Sequence, residues 1–458
     1  MRKVWLILVT GALLLGMSSV GSRFPAIAAQ AQKGQEDESV GIRSSDFEKI
    51  QVTPGNVRRA DRQYSQLGHS DVLVRGIVSA EARPETTGPK TSGTERKTNE
   101  AGRVWQSEEL HILGVGMGVG DVDGDGQNEI VVIDPGNVYL YRVTGDQLTK
   151  MAEYSAGTLE LKAVDVAKTR KQGPCRIYVT AQNRGSIASF VLEYRNGSLV
   201  PAVTDFPYYL RVIDYPTRGP VLLGQQKGLR KVYDGPIYRL ADKGNELEVQ
   251  DRFGIPMKIP IFGFAIGDLE GKHQPLIVAY DKSDHLRVYT PDGKRLYLSR
   301  DYYGGSDVIL RLAGPERRAR VEATFDNPDG WDEGYRRPRI LTLGLRGDSV
   351  QEILATVHSS TTLRVLSRTK MLDEGQVTAL TWNGEALQEK WRSPKLSGMV
   401  IDFAVDTLPG NPGRRLIVLE RKKTDWLAFL RSRTQIKAYD LESLNSGLIG
   451  TRGGGSKD

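Results

Sequence analysis

The stretch Gly120-Asp121-Val122-Asp123-Gly124-Asp125-Gly126-Gln127-Asn128-Glu129 sets carboxylates on alternate residues at 121, 123 and 125, with a fourth at 129. Glycines at 124 and 126 supply the positive φ that a loop curling back on itself requires. The curl turns Asp121, Asp123 and Asp125 toward one centre. The Glu129 carboxylate and a backbone carbonyl near Gln127 complete a cage. An all-oxygen set of this density suits a hard cation, and a flexible loop of six or more oxygens suits Ca²⁺ better than Mg²⁺. The plainer alternative is a solvated acidic turn, since turns favour Asp and Gly for their own reasons.

The flanks of the loop decide its type. An EF-hand needs a bidentate Glu at the twelfth position and a helix on either side. Counting from Asp121, the twelfth residue is Val132. It sits within Ile130-Val131-Val132-Ile133, a β-branched run that reads as a buried strand. The preceding Gly/Val-rich run from Ile112 to Val119 has no helical period. The loop therefore joins two strands of a hairpin. Gly-Asp-x-Asp-Gly-Asp-Gly-x-x-acid followed by an apolar strand resembles the FG-GAP/VCBS repeat, the blade unit of integrin-α-type β-propellers. The resemblance implies Ca²⁺ bound by the side chains of Asp121, Asp123, Asp125 and Glu129 and by the Gln127 carbonyl. Glu129 departs from the more usual Asp, and its extra methylene loosens the cage. The motif is at full strength in one unit only.

With this loop as a ruler, the chain divides into units of an inner strand, a turn, an apolar strand and a hairpin partner. They begin near Val115, Val164, Val212, Phe264, Leu341 and Ile401. The spacing matches four-stranded blades with insertions. An all-β propeller of six blades is expected over 101–445, with seven as the alternative because Asp301 to Arg337 is long enough to hide strands. Trp105-Gln106-Ser107 before the first unit matches Trp391-Arg392-Ser393 before the last. If Trp391 lies on the outer strand of the fifth blade, Trp105 holds the same place in the sixth, and an N-terminal strand closes the ring and covers a sheet edge. The other loops have lost ligands. Lys272 stands where Asp125 would be, Asp165 is followed by Lys168, Arg170 and Lys171, and Asp348 and Glu352 lack acidic partners at Gly344 and Arg346. One calcium is expected.

Residues 1–28 read as a secretory signal: Arg2-Lys3, an apolar stretch from Val4 to Met17, then Ala26-Ile27-Ala28 as an A-x-A cleavage pattern. An uncleaved anchor is the alternative, although the apolar stretch is short for a bilayer span. Residues 29–100 read as a low-complexity, largely disordered linker, with one isolated strand from Asp71 to Val78. Residues 446–458 read as a flexible tail. The net charge is +7, and removing Arg2, Lys3 and Arg23 with the signal leaves about +4. That mild, dispersed surplus gives no basic face for nucleic acid. A single Cys175 allows neither a lipobox near the cut nor an internal disulfide.

Several motifs are discounted. Arg346-Gly347-Asp348 falls inside a degenerate loop, where Gly and Asp serve turning. Gly114 to Gly120 does not fit G-x-G-x-x-G and reads as a crowded inner strand. Asn196-Gly197-Ser198 is a glycosylation sequon only in a eukaryotic secretory route. The five histidines show no zinc spacing, and no nucleophile elbow is present. The best ligand-facing candidates are Asp301 to Gly305 and Asp326 to Glu333, where Trp331 could stack and Asp332 could accept hydrogen bonds. The expected function is an exported (periplasmic, cell-envelope or secreted) calcium-binding propeller. It would act as a non-catalytic binding, adhesion or envelope-assembly module for a protein or polysaccharide, with no transmembrane span in the mature chain. The alternative is a propeller-fold hydrolase or lyase with an unrecognised site.

Overall fold

The computed structural model describes residues 104–452, apart from 229–230, 234, 256–258, 312–332, 346–348, 361–371, 423–432 and 448–450. The signal, the linker and the Asp71–Val78 segment lie outside the described residues. Residues 1–94 and 95–458 are separate units, and the description concerns the second.

Six antiparallel sheets make a propeller. Blade 1 is Gly116–Gly120, Glu129–Ile133, Asn137–Thr144 and Gln147–Ser155. Blade 2 is Glu160–Ala167, Arg176–Asn183, Ser189–Arg195 and Ser198–Phe206, with the short Ser186–Ile187 added to Arg176–Asn183. Blade 3 is Tyr209–Tyr215, Gly219–Gln225, Ile237–Asp242 and Leu247–Arg252, and blade 4 is Phe264–Gly267, Leu276–Tyr280, His285–Tyr289 and Arg295–Tyr302. Blade 5 is Leu341–Leu343, Glu352–Ser360, Leu372–Trp382 and Leu387–Arg392, extended by Thr451–Arg452. Blade 6 is Met399–Leu408, Asn411–Arg421, Thr434–Asp440 and, from the other end of the chain, Val104–Gln106. The inner strand of blade 1 touches those of blades 2 and 6, and the contacts continue from 2 to 3, 3 to 4 and 4 to 5. Blades 5 and 6 meet through the middle strands of blade 5.

Each pair of adjacent blades encloses its own apolar cluster. Met117, Ile130, Ile401 and Ile436 pack between blades 6 and 1, for example, and Leu354, Trp391, Phe403 and Leu416 between blades 5 and 6. Second strands are therefore covered on both faces, which is why Ile130 to Ile133 is an unbroken apolar run. Each fully buried Val, Leu or Ile contributes about 1.5–3 kcal/mol. The Gly-rich inner strand of blade 1 reflects crowding, as expected: a Cβ on Gly118 would lie 2.7 Å from Val166 Cγ2 of blade 2.

The seam is the expected one. Val104, Trp105 and Gln106 pair with Tyr439, Ala438 and Lys437. Ser107 repeats the bonding of Ser393. The Ser107 Oγ accepts from Ile436 N–H at 3.0 Å, and Gln435 Nε2 donates to its carbonyl at 2.7 Å. The Ser393 Oγ accepts from Val377 N–H at 3.0 Å, and Gln376 Nε2 donates to its carbonyl at 2.7 Å. A short helix, α1 (Leu441–Ser446), follows the seam. It is capped by Asp440, whose side chain accepts the Ser443 N–H, and ended by Gly447 at φ 77°.

The seven-blade alternative falls at Asp301 to Arg337. Among the described residues this segment gives a single two-stranded hairpin, Ile309–Arg311 with Glu333–Tyr335. It reaches across the ring. Gln182 of blade 2 exchanges two hydrogen bonds with the Arg311 backbone, Tyr233 donates to the Tyr335 carbonyl, and Arg336 donates to the Ile401 carbonyl of blade 6.

Candidate functional site

The acidic loop curls as its glycines dictate, with Gly124 at φ 85° and Gly126 at φ 86°. Oxygens of Asp121, Asp123 and Glu129 lie within 4.8 Å of one another. Asp121 Oδ1 and Oδ2 accept the N–H groups of Gly124 (2.7 Å) and Gly126 (3.1 Å). Asp123 accepts from Asp125 N–H, and Asp125 from Gln127 N–H. Glu129 is wholly buried, and its Oε2 accepts the Val122 N–H at 2.9 Å.

A residue outside the expected set sits at the centre. Arg142 Nη2, on the third strand of blade 1, is 2.5 Å from Asp123, 2.9 Å from Asp125 and 2.6 Å from Glu129. Burial pushes the Glu129 carboxyl up from the usual carboxylate range, against the Arg142 and Val122 hydrogen bonds. The hydrogen bond to Glu129 in turn raises Arg142 above its ordinary value. The signal for Arg142 was present in the sequence. The turn at Asp134 to Asn137 pairs Ile130 with Tyr141, which places residue 142 opposite Glu129 as a cross-strand pair of opposite charge. The oxygen spacing suits Ca²⁺, whose ligands lie about 2.3–2.6 Å away. A metal would have to displace or share with the guanidinium.

Two other blades echo the arrangement. In blade 5, Glu352 Oε2 accepts the Leu345 N–H at 2.9 Å and Oε1 takes Lys390 Nζ at 3.0 Å. In blade 4, Asp268 accepts the Lys272 and His273 N–H groups, and Lys272 Nζ pairs with Glu270 at 2.8 Å. Asp165 belongs to no such loop. It lies within Glu160–Ala167 and turns to the axis.

The axis itself holds a buried ion network that no local motif announces. Arg339, just ahead of blade 5, bonds Asp165 of blade 2 (2.7 Å) and Asp402 of blade 6 (2.8 Å), and donates to the carbonyls of Met117 and Val164. Arg211 of blade 3 reaches Asp165 at 2.9 Å, and Arg336 approaches Asp402 at 3.5 Å. Burial would raise Asp402, but Arg339 and Arg336 overcome it and hold the carboxyl below the usual range. Burial and the neighbouring Arg339 push Arg211 down to about 10. Above this plug is a cavity of about 380 Å³ whose lining includes Asp121, Lys168, Cys175, Asp214 and Asp406. Cys175 is only partly buried there, and its N–H donates to the Asp121 carbonyl.

Trp331, Asp332 and the Arg346-Gly347-Asp348 tripeptide lie outside the described residues. Among the described residues, no helix is long and apolar enough to cross a membrane. No family model matches the chain, and no curated protein matches its sequence. Solved structures are distantly similar. A chain of the mitotic checkpoint complex is 10% identical over 81% of this chain and 99% of its own, with a TM-score of 0.38. The soluble aldose sugar dehydrogenase from Escherichia coli, in the apo form, is 13% identical over 73% and 99%, also at 0.38. The chain is a six-bladed β-propeller.

Proposed function

We propose that this chain is an exported, non-catalytic propeller related to the FG-GAP/VCBS repeat proteins, which captures a protein or polysaccharide and uses Ca²⁺ as a structural clip. The clip is held by Asp121, Asp123, Asp125 and Glu129 with the Gln127 carbonyl. The observation that carries this reading is the convergence of three carboxylates within 4.8 Å on a loop curled by two positive-φ glycines. Arg142 is the protein's own cation in that cage, so metal affinity is the balance between Ca²⁺ and a tethered guanidinium. The hub supports the binding reading: Asp165 and Asp402 are consumed by Arg211, Arg336 and Arg339 in holding blades together. Recognition is then left to loops, with the insertion bearing Trp331 and Asp332 as the capture loop.

The test is a pull-down from native envelope extract with wild type and a Trp331→Ala/Asp332→Ala variant, run beside a hydrolase and lyase screen. Loss of one specific partner with an unchanged melting curve supports the reading. Equal recovery moves the capture face elsewhere on the ring, and a turnover lost in the variant favours an enzyme. N-terminal sequencing of the mature chain is expected to begin near Ala29.

A further inference from the structure

His358, on Glu352–Ser360 of blade 5, is 3% exposed and ties together three parts of the ring. Its Nδ1 lies 2.7 Å from the Gly304 carbonyl, at the root of the hairpin that crosses the ring. Its Nε2 accepts the Val400 N–H of blade 6 at 3.1 Å. A carbonyl only accepts and an amide N–H only donates, so the imidazole is neutral with its proton on Nδ1. Gly375, paired with His358 across the blade, makes room for this approach. A Cβ there would lie 2.7 Å from Val400 Cγ2. Inner strands touch at the other joints of the ring, whereas blades 5 and 6 meet mainly through the middle strands of blade 5. Two backbone bonds share this corner with the imidazole: Gly375 N–H to the Gly398 carbonyl, and Leu396 N–H to the Gly375 carbonyl. Neither titrates.

We propose that His358 is an acid-sensitive latch on the joint between blades 5 and 6. Protonation of Nε2 sets a donor against the Val400 N–H and frees the start of Met399–Leu408 from blade 5. The charged groups on the surrounding elements already have partners. Asp284 pairs with Arg337, Asp307 with Arg421, and Glu374 with Lys395. Asp402 is held by Arg336 and Arg339, and Glu420 by Lys437 and the Gly398 N–H. Burial pushes the Tyr280 and Tyr303 hydroxyls up, so both stay neutral. A proton on His358 therefore adds a charge to a buried site and strands the Val400 N–H. Folding holds this imidazole neutral, whereas in the unfolded chain it takes up a proton below about pH 6.5. The latch thus holds above that pH and gives way as pH falls below it. His111 and His273 are exposed and His285 is half-buried, which leaves His358 as the fully buried histidine among the described residues. The latch shares no residue with the acidic loop or the Trp331 loop, so it stands apart from the calcium and capture readings.

Urea unfolding at stepped pH on either side of about 6.5 tests it, on wild type, His358→Gln and His111→Gln. Gln donates through Nε2 and accepts through Oε1, so it can keep both bonds without a titrating ring. On acidification the folded-to-unfolded ratio of wild type should fall relative to His358→Gln by up to about tenfold per pH unit, the signature of one proton. His111→Gln should follow wild type. Hydrogen exchange about one unit below that pH should locate the change. Peptides spanning 399–402 are expected to exchange faster in wild type than in His358→Gln, with those of blades 1 to 3 alike in both. Parallel pH profiles for wild type and His358→Gln, or exchange that quickens equally all round the ring, would overturn the proposal. Should His358→Gln fail to fold, nitrogen-15 shifts of the histidine rings in wild type decide. A neutral ring protonated at Nδ1, whose signal is lost on acidification together with the protection of 399–402, supports the latch. No such ring, or protection that outlasts its signal, would overturn it.

Discussion

Arg339 shows how much one side chain can hold when it is buried among partners from several blades. It joins blade 5 to blades 1, 2 and 6. Removing one member of a buried ion network strands the rest, at a cost of about 3–5 kcal/mol. Arg339→Ala is therefore expected to lower the urea midpoint by that equivalent, whereas an exposed pair such as Lys150 with Glu153 should cost under about 1 kcal/mol. Asp214 behaves in the opposite sense. Solvent reaches it at the cavity mouth, yet protein surrounds it, and burial raises its pKa despite Arg339 and Arg211 nearby. A raised carboxyl favours the folded state only while protonated, so its contribution is present below the usual carboxylate value and lost as pH rises through the raised one. Asp214→Asn should thus be more stable than wild type at neutral pH. The difference should shrink on acidification and vanish below about pH 3.9, as read by urea titrations at stepped pH. None of these hub residues was legible as a set. Asp165, Arg211, Arg339 and Asp402 lie in four different repeats and meet only because the ring folds them together, so no spacing along the chain records their contact.

At the scale of the element, the curl of the blade 1 loop was legible because its acids and glycines are local. Alternating acids and two glycines carry both the curl and the convergence of carboxylates within ten residues. Its occupant was not read, because Arg142 lies on the next strand and enters only through hairpin register. That register gives a prediction the motif alone does not. Calorimetric melting in Ca²⁺ and in EDTA should differ for wild type, since a ligand bound only to the folded state at a hundredfold excess over Kd adds about 2.7 kcal/mol. Asp125→Ala should abolish the difference. Arg142→Gln should enlarge it, because the competing cation is gone and four carboxylates are left facing one another. Identical curves for all three proteins would make the loop an acidic turn neutralised by arginine alone.

For the whole molecule, six blades and their seam could be read from sequence because each blade repeats a pattern of turns and apolar strands, and Trp105-Gln106-Ser107 copies Trp391-Arg392-Ser393. The uncertainty between six and seven came from Asp301 to Arg337, whose described strands serve the inside of the ring instead of adding a blade. Deleting residues 101–110 should expose the edge of Thr434–Asp440 and cause aggregation, visible by light scattering. Deleting 31–95 is expected to leave the melting temperature unchanged.

The seam also sets a clock on the making of the protein. Gln435 donates to the Ser107 carbonyl across 328 positions of the chain, so the first of the described strands to leave the ribosome is among the last to find its partner. Until residues 434–440 are synthesised, Val104–Gln106 has nowhere to pair and the growing ring stays open at both ends. Contacts this distant in sequence form slowly, and partly made rings with bare edges are prone to stick to one another. A chain built this way stays vulnerable for nearly the whole of its synthesis and is secured only once Thr434–Asp440 is made.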